Sequence, residues 1–346
     1  MTSSPNQKMK LLYISQILSE RTNENNAITV NELIRALAAF DIKAERKSIY
    51  TDIETLKRFG MDIITNHGRS NAYYLASSLF ELPELRMLVD FVESSQFITT
   101  DKSEKMIKKL SSLTNIHDGR YFTNKLGSVD SYKSKNSSIM YNVWYIHMAI
   151  IDSKKISFKY FDYNLRKERV HRKSSEFYIE NPVELCWNDQ KYYLICYNTK
   201  HDSFVHYRVD KMIDVSVSDE DIDDFADKQI NLLDYTMKHF GMYVGDTVRA
   251  RLRFDRSLIN IVIDRYGTSV KILPSSSGLG SPANSPDSDD DSSSECFDVE
   301  VEVTDTPVFL SWVFEFGNKA EILAPQSLRE SMQHLLGEVS SLYRTD

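Results

Sequence analysis

At 346 residues, with 41% hydrophobic and 11% aromatic content, the chain has room for two or three domains with their own cores. Its formal net charge of -8 argues against a uniformly basic nucleic-acid coat, so any contact with nucleic acid has to come from local charge. Cys186, Cys196 and Cys296 have neither metal nor redox spacing, the apolar run Met140–Ile151 is too short to span a bilayer, and no signal-type segment opens the chain. A reduced, cytoplasmic protein is expected.

Residues 1–8 are polar and read as frayed. From Met9 to Arg21, Leu11, Ile14 and Leu18 share a helical face with Tyr13 and Ile17 beside them. Thr29-Val30-Asn31-Glu32 is a capping box, in which the Thr hydroxyl accepts from a free backbone N–H and the Glu reaches back. The helix it opens carries Val30, Leu33, Ile34, Leu37 and Ala38 on one stripe. Residues Ala44–Phe59 form a third helix that buries Ile49, Ile53 and Leu56 and shows Arg46, Lys47, Tyr50 and Thr51 on its other side, with Gly60 as a left-handed stop. Met61–Ala76 reads strand, turn, strand, with Asn66–Asn71 and its Arg69 at the tip. Three short helices followed by a hairpin make a winged helix-turn-helix, expected over 1–78, with a basic recognition face and wing tip for duplex DNA.

A helical spacer follows over 79–152, with Leu85, Leu88, Val89 and Val92 on one helix, Met106, Leu110 and Leu113 on another, and Ile139, Val143, Ile146 and Ile150 on a third. Such stripes are core or a dimer seam. The next stretch, Lys154–Lys173, holds eight Lys or Arg against two acids, with His171 besides. Strands are predicted from Ile156, over Arg166–Lys173 with Arg169 and His171 on one face, and over Phe177–Trp187 with a bulge or bend at Asn181-Pro182. A hairpin from Gln190 to Lys211 then places Tyr193, Ile195 and Tyr197 on one face and His206, Arg208 and Asp210 on one face of its second strand. Five or six short strands over 153–218 suggest a small curled barrel. The hairpin's aromatic rings and cationic groups suit bases and phosphates, although an ordinary half-buried hairpin has the same alternation.

Asp219 to Phe240 reads as acidic and then helical. Over 219–346 the remaining pattern is βαββαβ, a ferredoxin-like order. Arg249, Arg251 and Arg253 share a face of its first strand, Asp298, Glu300 and Glu302 a face of its third, and these strands are neighbours in that topology. The Arg row is therefore read as structural. Residues 274–295, rich in Ser, Pro, Gly and Asp, are expected to be a disordered surface loop inserted in this domain. The whole is an α+β, multidomain protein.

Tyr192-Tyr193-Leu194 followed by Tyr207-Arg208-Val209-Asp210-Lys211 resembles the signature of WYL-domain regulators, a Trp-Tyr-Leu run and an Arg-x-Asp-Arg box. Tyr192 stands for the Trp and Lys211 for the second Arg, which exchanges a bidentate fork for a point charge. The stretch Lys47–Ile53, with Leu56 and Gly60, resembles the recognition helix of the same regulators, with Thr51 where Arg is common. Phe240-Gly241-Met242 and Ile263–Gly267 resemble their WCX-type C-terminal extension. The resemblance implies an Sm-like barrel and a ligand-responsive transcription regulator whose effector is a nucleic-acid fragment or nucleotide-like molecule.

On this reading the DNA-binding candidates are Arg46, Lys47, Ser48, Tyr50, Thr51 and Arg69. The ligand-binding candidates are Tyr160, Arg169, His171, Tyr178, Tyr192, Tyr193, His206, Arg208 and Lys211. The expected partners are a double-stranded DNA operator and the effector, with the protein a homodimer because helix-turn-helix proteins read paired half-sites. No cofactor or metal is implied. Without a Gly-rich phosphate loop, zinc spacing or nucleophile elbow, an enzyme is not the expectation. The alternative is a non-regulatory oligonucleotide-binding module that uses its N-terminal domain for protein contacts.

Overall fold

The structure is a computed structural model that describes residues 5–122, 133–225, 235, 245–275, 278, 279 and 295–344. The chain divides into two compact units, 1–137 and 138–346.

In the first unit α1 (Pro5–Arg21) begins at Pro5 rather than Met9, as Pro is tolerated in a first helical turn. The capping box forms at the start of α2 (Val30–Ala38): Thr29 Oγ1 accepts from the Glu32 N–H at 3.4 Å, and Glu32 Oε2 accepts from the Thr29 N–H at 2.8 Å. Helix α3 (Arg46–Phe59) ends at Gly60, whose φ of 109° would strain any side chain there. Ile49, Ile53 and Leu56 pack with Ile14, Ile17, Leu18, Leu33 and Leu37 in one core. Strands β2 (Ile63–Asn66) and β3 (Ala72–Leu75) form the expected hairpin. A third strand, β1 (Ile28–Thr29), pairs with β3, a two-residue element too short to show periodicity.

Beyond them lie α4 (Leu82–Ser94), α5 (Thr100–Ser111) and the single turn α6 (Ile116–Gly119). Leu85, Val89 and Phe122 form a small core. Leu113 is exposed, against the helical stripe expected of it, because α5 stops at Ser111. Lys133 Nζ donates to the Val92 and Ser95 carbonyls at 3.1 and 3.2 Å and to Ser103 Oγ at 2.9 Å, closing the carbonyl end of α4.

The second unit opens with α7 (Ile139–Ile151), which buries Ile139, Asn142, Ile146 and Ala149. Asn142 Nδ2 donates to the Met212 carbonyl at 3.0 Å, so the polar residue in the apolar run anchors the helix to the sheet. That six-stranded sheet curls through β5 (Arg169–His171), β4 (Lys154–Tyr163), β6 (Tyr178–Asn188), β7 (Lys191–Asn198) and β8 (Ser203–Arg208), with β9 (Met212–Asp221) on the other edge of β4. β6 pairs with β4 through Tyr178–Glu180 and with β7 from Asn181 onward, with the predicted bulge between Pro182 and Glu184.

Three expectations change here. The strand predicted over Arg166–Lys173 is confined to Arg169–His171, followed by a 3₁₀ turn at Arg172–Ser175. The strand predicted to run through Lys211 ends at Arg208, and Val209–Lys211 is again a 3₁₀ turn. The acidic stretch begins in a strand, β9 continuing through Asp221, while residues 226–234 and 236–244 of the helix expected after it lie outside the described residues. The reason for the strand is charge: Lys154 Nζ meets Asp221 Oδ1 at 2.7 Å, and Lys155 Nζ meets Asp223 Oδ1 at 2.9 Å and Glu220 Oε2 at 3.2 Å. Asn181 Nδ2 also donates to Asp223 Oδ2 at 3.0 Å.

Asn181, and then Lys155, hold the Asp223 carboxyl below its ordinary range. A depressed carboxylate stabilises the fold above its unfolded pKa, and that share is lost as pH falls through the folded value. Thermal melts of the whole chain from pH 7 down to 3 should therefore show Asp223→Asn losing less melting temperature than wild type below about pH 5. Parallel curves would remove Asp223 from the acid response.

The remaining strands, β10 (Thr247–Asp255), β11 (Ile272–Ser275), β12 (Cys296–Thr304) and β13 (Ala320–Ala324), lie in the order β11-β12-β10-β13, antiparallel throughout. Between them run α8 (Ile259–Tyr266) and α9 (Pro307–Glu315), and α10 (Gln326–Leu342) follows β13. Phe254, Phe297, Val299, Phe309 and Val262 form the core. The Arg and acid rows face each other as expected, in the register Arg249↔Glu302, Arg251↔Glu300 and Arg253↔Asp298. β11 runs two residues into the segment expected to be a loop, pairing Pro274 with Phe297 and Ser275 with Cys296. Residues 276, 277 and 280–294 of that segment lie outside the described residues, as do Phe240-Gly241-Met242. Among the described residues no helix is long and apolar enough to cross a membrane.

Candidate functional site

The face of α3 expected to meet DNA divides in two. Arg46, Lys47 and Thr51 are exposed. Ser48 Oγ accepts from Lys10 Nζ, which also pairs with Asp52 at 2.7 Å, and this bridge ties α1 to α3. Tyr50 leans against the helical core. Arg69 is exposed between β2 and β3. The first turn of α3 holds two cations and no acid, an arrangement that opposes the helix dipole and has to be offset elsewhere.

Arg46→Ala is expected to weaken binding to the cognate duplex by about 1–3 kcal/mol if the side chain reaches a base, and Arg69→Ala to weaken all duplexes evenly while lowering the salt dependence. Titrations at two salt concentrations separate the two effects. Unchanged binding in both folded variants would remove α3 from the interface.

In the second unit the β4, β6 and β8 strands bring four rings together. Phe158 stacks on Tyr178 at 5.3 Å, and Tyr160 and Tyr207 meet this pair edge-on. Tyr207 Oη donates to Glu180 Oε1 at 2.8 Å. Tyr160, 5% exposed, turns its hydroxyl to the rim, where it accepts from the Arg208 backbone N–H at 3.1 Å. Burial pushes the Tyr160, Tyr178 and Tyr207 hydroxyls upward, so all three stay protonated near neutrality.

Around that rim the cations are already paired. The 3₁₀ turn after β8 folds Asp210 back, so Arg208 Nε and Nη2 donate to its two oxygens at 3.1 and 2.8 Å. This fork raises the Arg208 pKa further. Lys211 Nζ meets Asp162 Oδ1 at 2.6 Å, Arg172 Nε meets Asp162 Oδ2 at 2.6 Å, and the Arg172 guanidinium lies 5.2 Å from the Tyr160 ring centre. Lys211, then Arg172, hold the Asp162 carboxyl below its usual range.

The structure thus brings Tyr160, Tyr178, Arg208 and Lys211 together. Tyr193 stands opposite Arg208 across β7 and β8, and His206, on the same face, meets Tyr235 Oη through Nε2 at 2.9 Å. Burial pushes the Tyr235 hydroxyl up to about 12. Three candidates are placed elsewhere. Arg169 and His171 pair with Tyr163 and Phe161, which puts them on the face of β4 opposite Tyr160 and Asp162, and Arg169 lies 4.6 Å from the Phe161 ring centre. Tyr192 packs edge-on against Trp187 across the hairpin, on the side away from Tyr193.

Asp162 and Arg172 were not among the sequence candidates. The signals available for Arg172 were its place in the basic run and its alternation with Val170, which pairs with Asp162 on the face of β4 that Tyr160 shares. An apolar groove of about 510 Å³ lies between α9, β13 and α10 and contains none of the predicted ligand residues.

Profiles of two domain families match the chain: the WYL domain over residues 144–217 and the WCX domain over residues 246–340. The chain thus carries a WYL domain followed by a WCX domain. Among solved structures it is similar to the proteasome accessory factor B/C (PafBC) of Arthrobacter aurescens, at 15% identity over 97% of this chain and 49% of that one, with a TM-score of 0.27. The chain spans about half the length of that protein. Comparison with curated proteins returned no match.

Proposed function

We propose that this protein is a DNA-binding transcription regulator whose WYL domain senses an anionic, nucleotide-like effector. One observation carries the reading: Lys211 and Arg172 share Asp162 at the rim of an aromatic cluster whose Tyr160 hydroxyl accepts from the Arg208 backbone N–H, so that rings that can stack bases adjoin cations that can hold phosphate. The exposed Arg46, Lys47 and Thr51 on α3 and Arg69 in the hairpin supply the basic face for duplex DNA. The expected assembly is a homodimer on paired half-sites. The effector is a nucleic-acid fragment or a nucleotide carrying phosphate. The deciding experiment extracts what co-purifies with the full chain and measures its effect on binding to the protein's own upstream DNA. An effector that shifts operator affinity supports the reading; no binding to that DNA in either state overturns it.

A second reading is an oligonucleotide-binding module whose N-terminal unit contacts protein. It is favoured by the engagement of Ser48 with Lys10 and of Tyr50 with the core, which removes two of the five candidate contacts on α3 from its free face. It expects oligonucleotide binding in the second unit without specific duplex binding in the first.

A further inference from the structure

We infer that Asp162 is a built-in competitor for the anion site, a carboxylate that occupies the place of a ligand phosphate between Lys211 and Arg172 and sets which phosphates are bound. This rests on the proposed sensing role of the WYL domain and adds a residue and a ligand class to it.

The geometry is that of a bridging anion. Each oxygen of Asp162 accepts from a different cation, Oδ1 from Lys211 and Oδ2 from Arg172, both at 2.6 Å. The two cations come from separate segments, the 3₁₀ turn after β8 and the one after β5, and Asp162 on β4 joins them. Arg172 also covers the Tyr160 ring, whose hydroxyl accepts from the Arg208 N–H, so the bridge adjoins the Arg208–Asp210 fork. Two cations therefore share one carboxylate at this rim, with the neighbouring Arg208 neutralised by its own Asp210, and an arriving anion meets a site whose charge is already largely offset.

Which anion can enter follows from charge and oxygen count. An internal phosphodiester carries one negative charge and two free oxygens, no more than the carboxylate it has to displace. A terminal phosphate monoester carries about -1.5 to -2 and three acceptor oxygens near neutrality. It can span Lys211 and Arg172 with an oxygen left for a further donor. The ligand class is thus a nucleotide or oligonucleotide with a terminal phosphate. Asp162 makes that terminus a requirement by holding off the diester.

The test uses the full chain and two probes, hexathymidylate with a 5′-phosphate and the same oligonucleotide with a 5′-hydroxyl. Dissociation constants are measured for wild type, Asp162→Asn, Asp214→Asn and Arg208→Ala, with a thermal melt for each. Asp214 is the charge control: it pairs with Lys159 at 2.9 Å, and its replacement removes the same charge without touching the Lys211–Arg172 bridge. Wild type is expected to prefer the phosphorylated probe. Asp162→Asn should tighten both probes, the hydroxyl form by roughly threefold or more beyond Asp214→Asn, and so narrow the preference. Equal gains in Asp162→Asn and Asp214→Asn, or weaker binding in Asp162→Asn, overturn the inference. Binding by wild type that Arg208→Ala abolishes while Asp162→Asn leaves unchanged removes the competitor and keeps the sensing site. No binding of either probe by any folded variant removes both.

Discussion

Asp298→Ala is expected to destabilise the second unit by about 3–5 kcal/mol, the largest effect of any single substitution argued from this fold. Asp298 is 0% exposed and Arg253, directly opposite on β10, is 1% exposed. Arg253 Nε donates to Asp298 Oδ1 at 2.7 Å and Nη2 to Oδ2 at 3.0 Å, and Arg251 Nη2 reaches the same Oδ2 at 2.9 Å. Water cannot replace the carboxylate at such a site, so the alanine leaves a buried guanidinium with its main counter-charge gone. The penalty is that of an uncompensated charge, which makes a sharper prediction possible. Replacing both partners, Arg253→Met with Asp298→Leu, should cost less than Asp298→Ala alone, because no charge is then left behind. Urea melts followed by tryptophan fluorescence read this unit directly, since Trp144, Trp187 and Trp312 all lie within it. A double variant as damaged as the single one would show that the pair contributes through packing.

The second large effect is functional. Arg208→Ala should weaken effector binding by about 1.5–3 kcal/mol, the range for a hydrogen bond to a charged group, while ligand-free operator affinity and melting temperature stay near wild type. The upper bound is set by the structure: the side chain is 34% exposed and already forked onto Asp210, so part of its charge is screened before a ligand arrives. Its backbone N–H, which Tyr160 accepts, survives the substitution, and this is why the fold should be spared. Effector and operator affinities measured separately in one variant decide the matter. Equal loss of both would make Arg208 a support for the fold or the assembly, and no loss of either would move the ligand site elsewhere.

Local chemistry was legible in the residues alone. The capping box at Thr29 and Glu32, the glycine stop at Gly60 and the bulge after Pro182 each depend on a few neighbouring residues with one favourable geometry. The opposed Arg and acid rows of β10 and β12 were legible for a related reason: strand alternation is periodic, and one topological expectation aligned the whole row.

What the sequence could not determine was which charges are spent on each other. Lys154–Lys173 reads as a basic patch, yet Lys154, Lys155, Lys159 and Arg172 all meet acids, three of them with partners on or just after β9, more than 50 positions further on. The two 3₁₀ turns mattered equally. By ending β5 at His171 and β8 at Arg208, they turned Arg172 toward Tyr160 and Asp162 and folded Asp210 onto Arg208. Composition and spacing thus determined that cations and rings occur in one domain. Only strand register and two short turns, which depend on partners distant in the chain, decided that Lys211 and Arg172 share the Asp162 carboxylate beside Tyr160 and that Arg169 and His171 lie on the other face of β4.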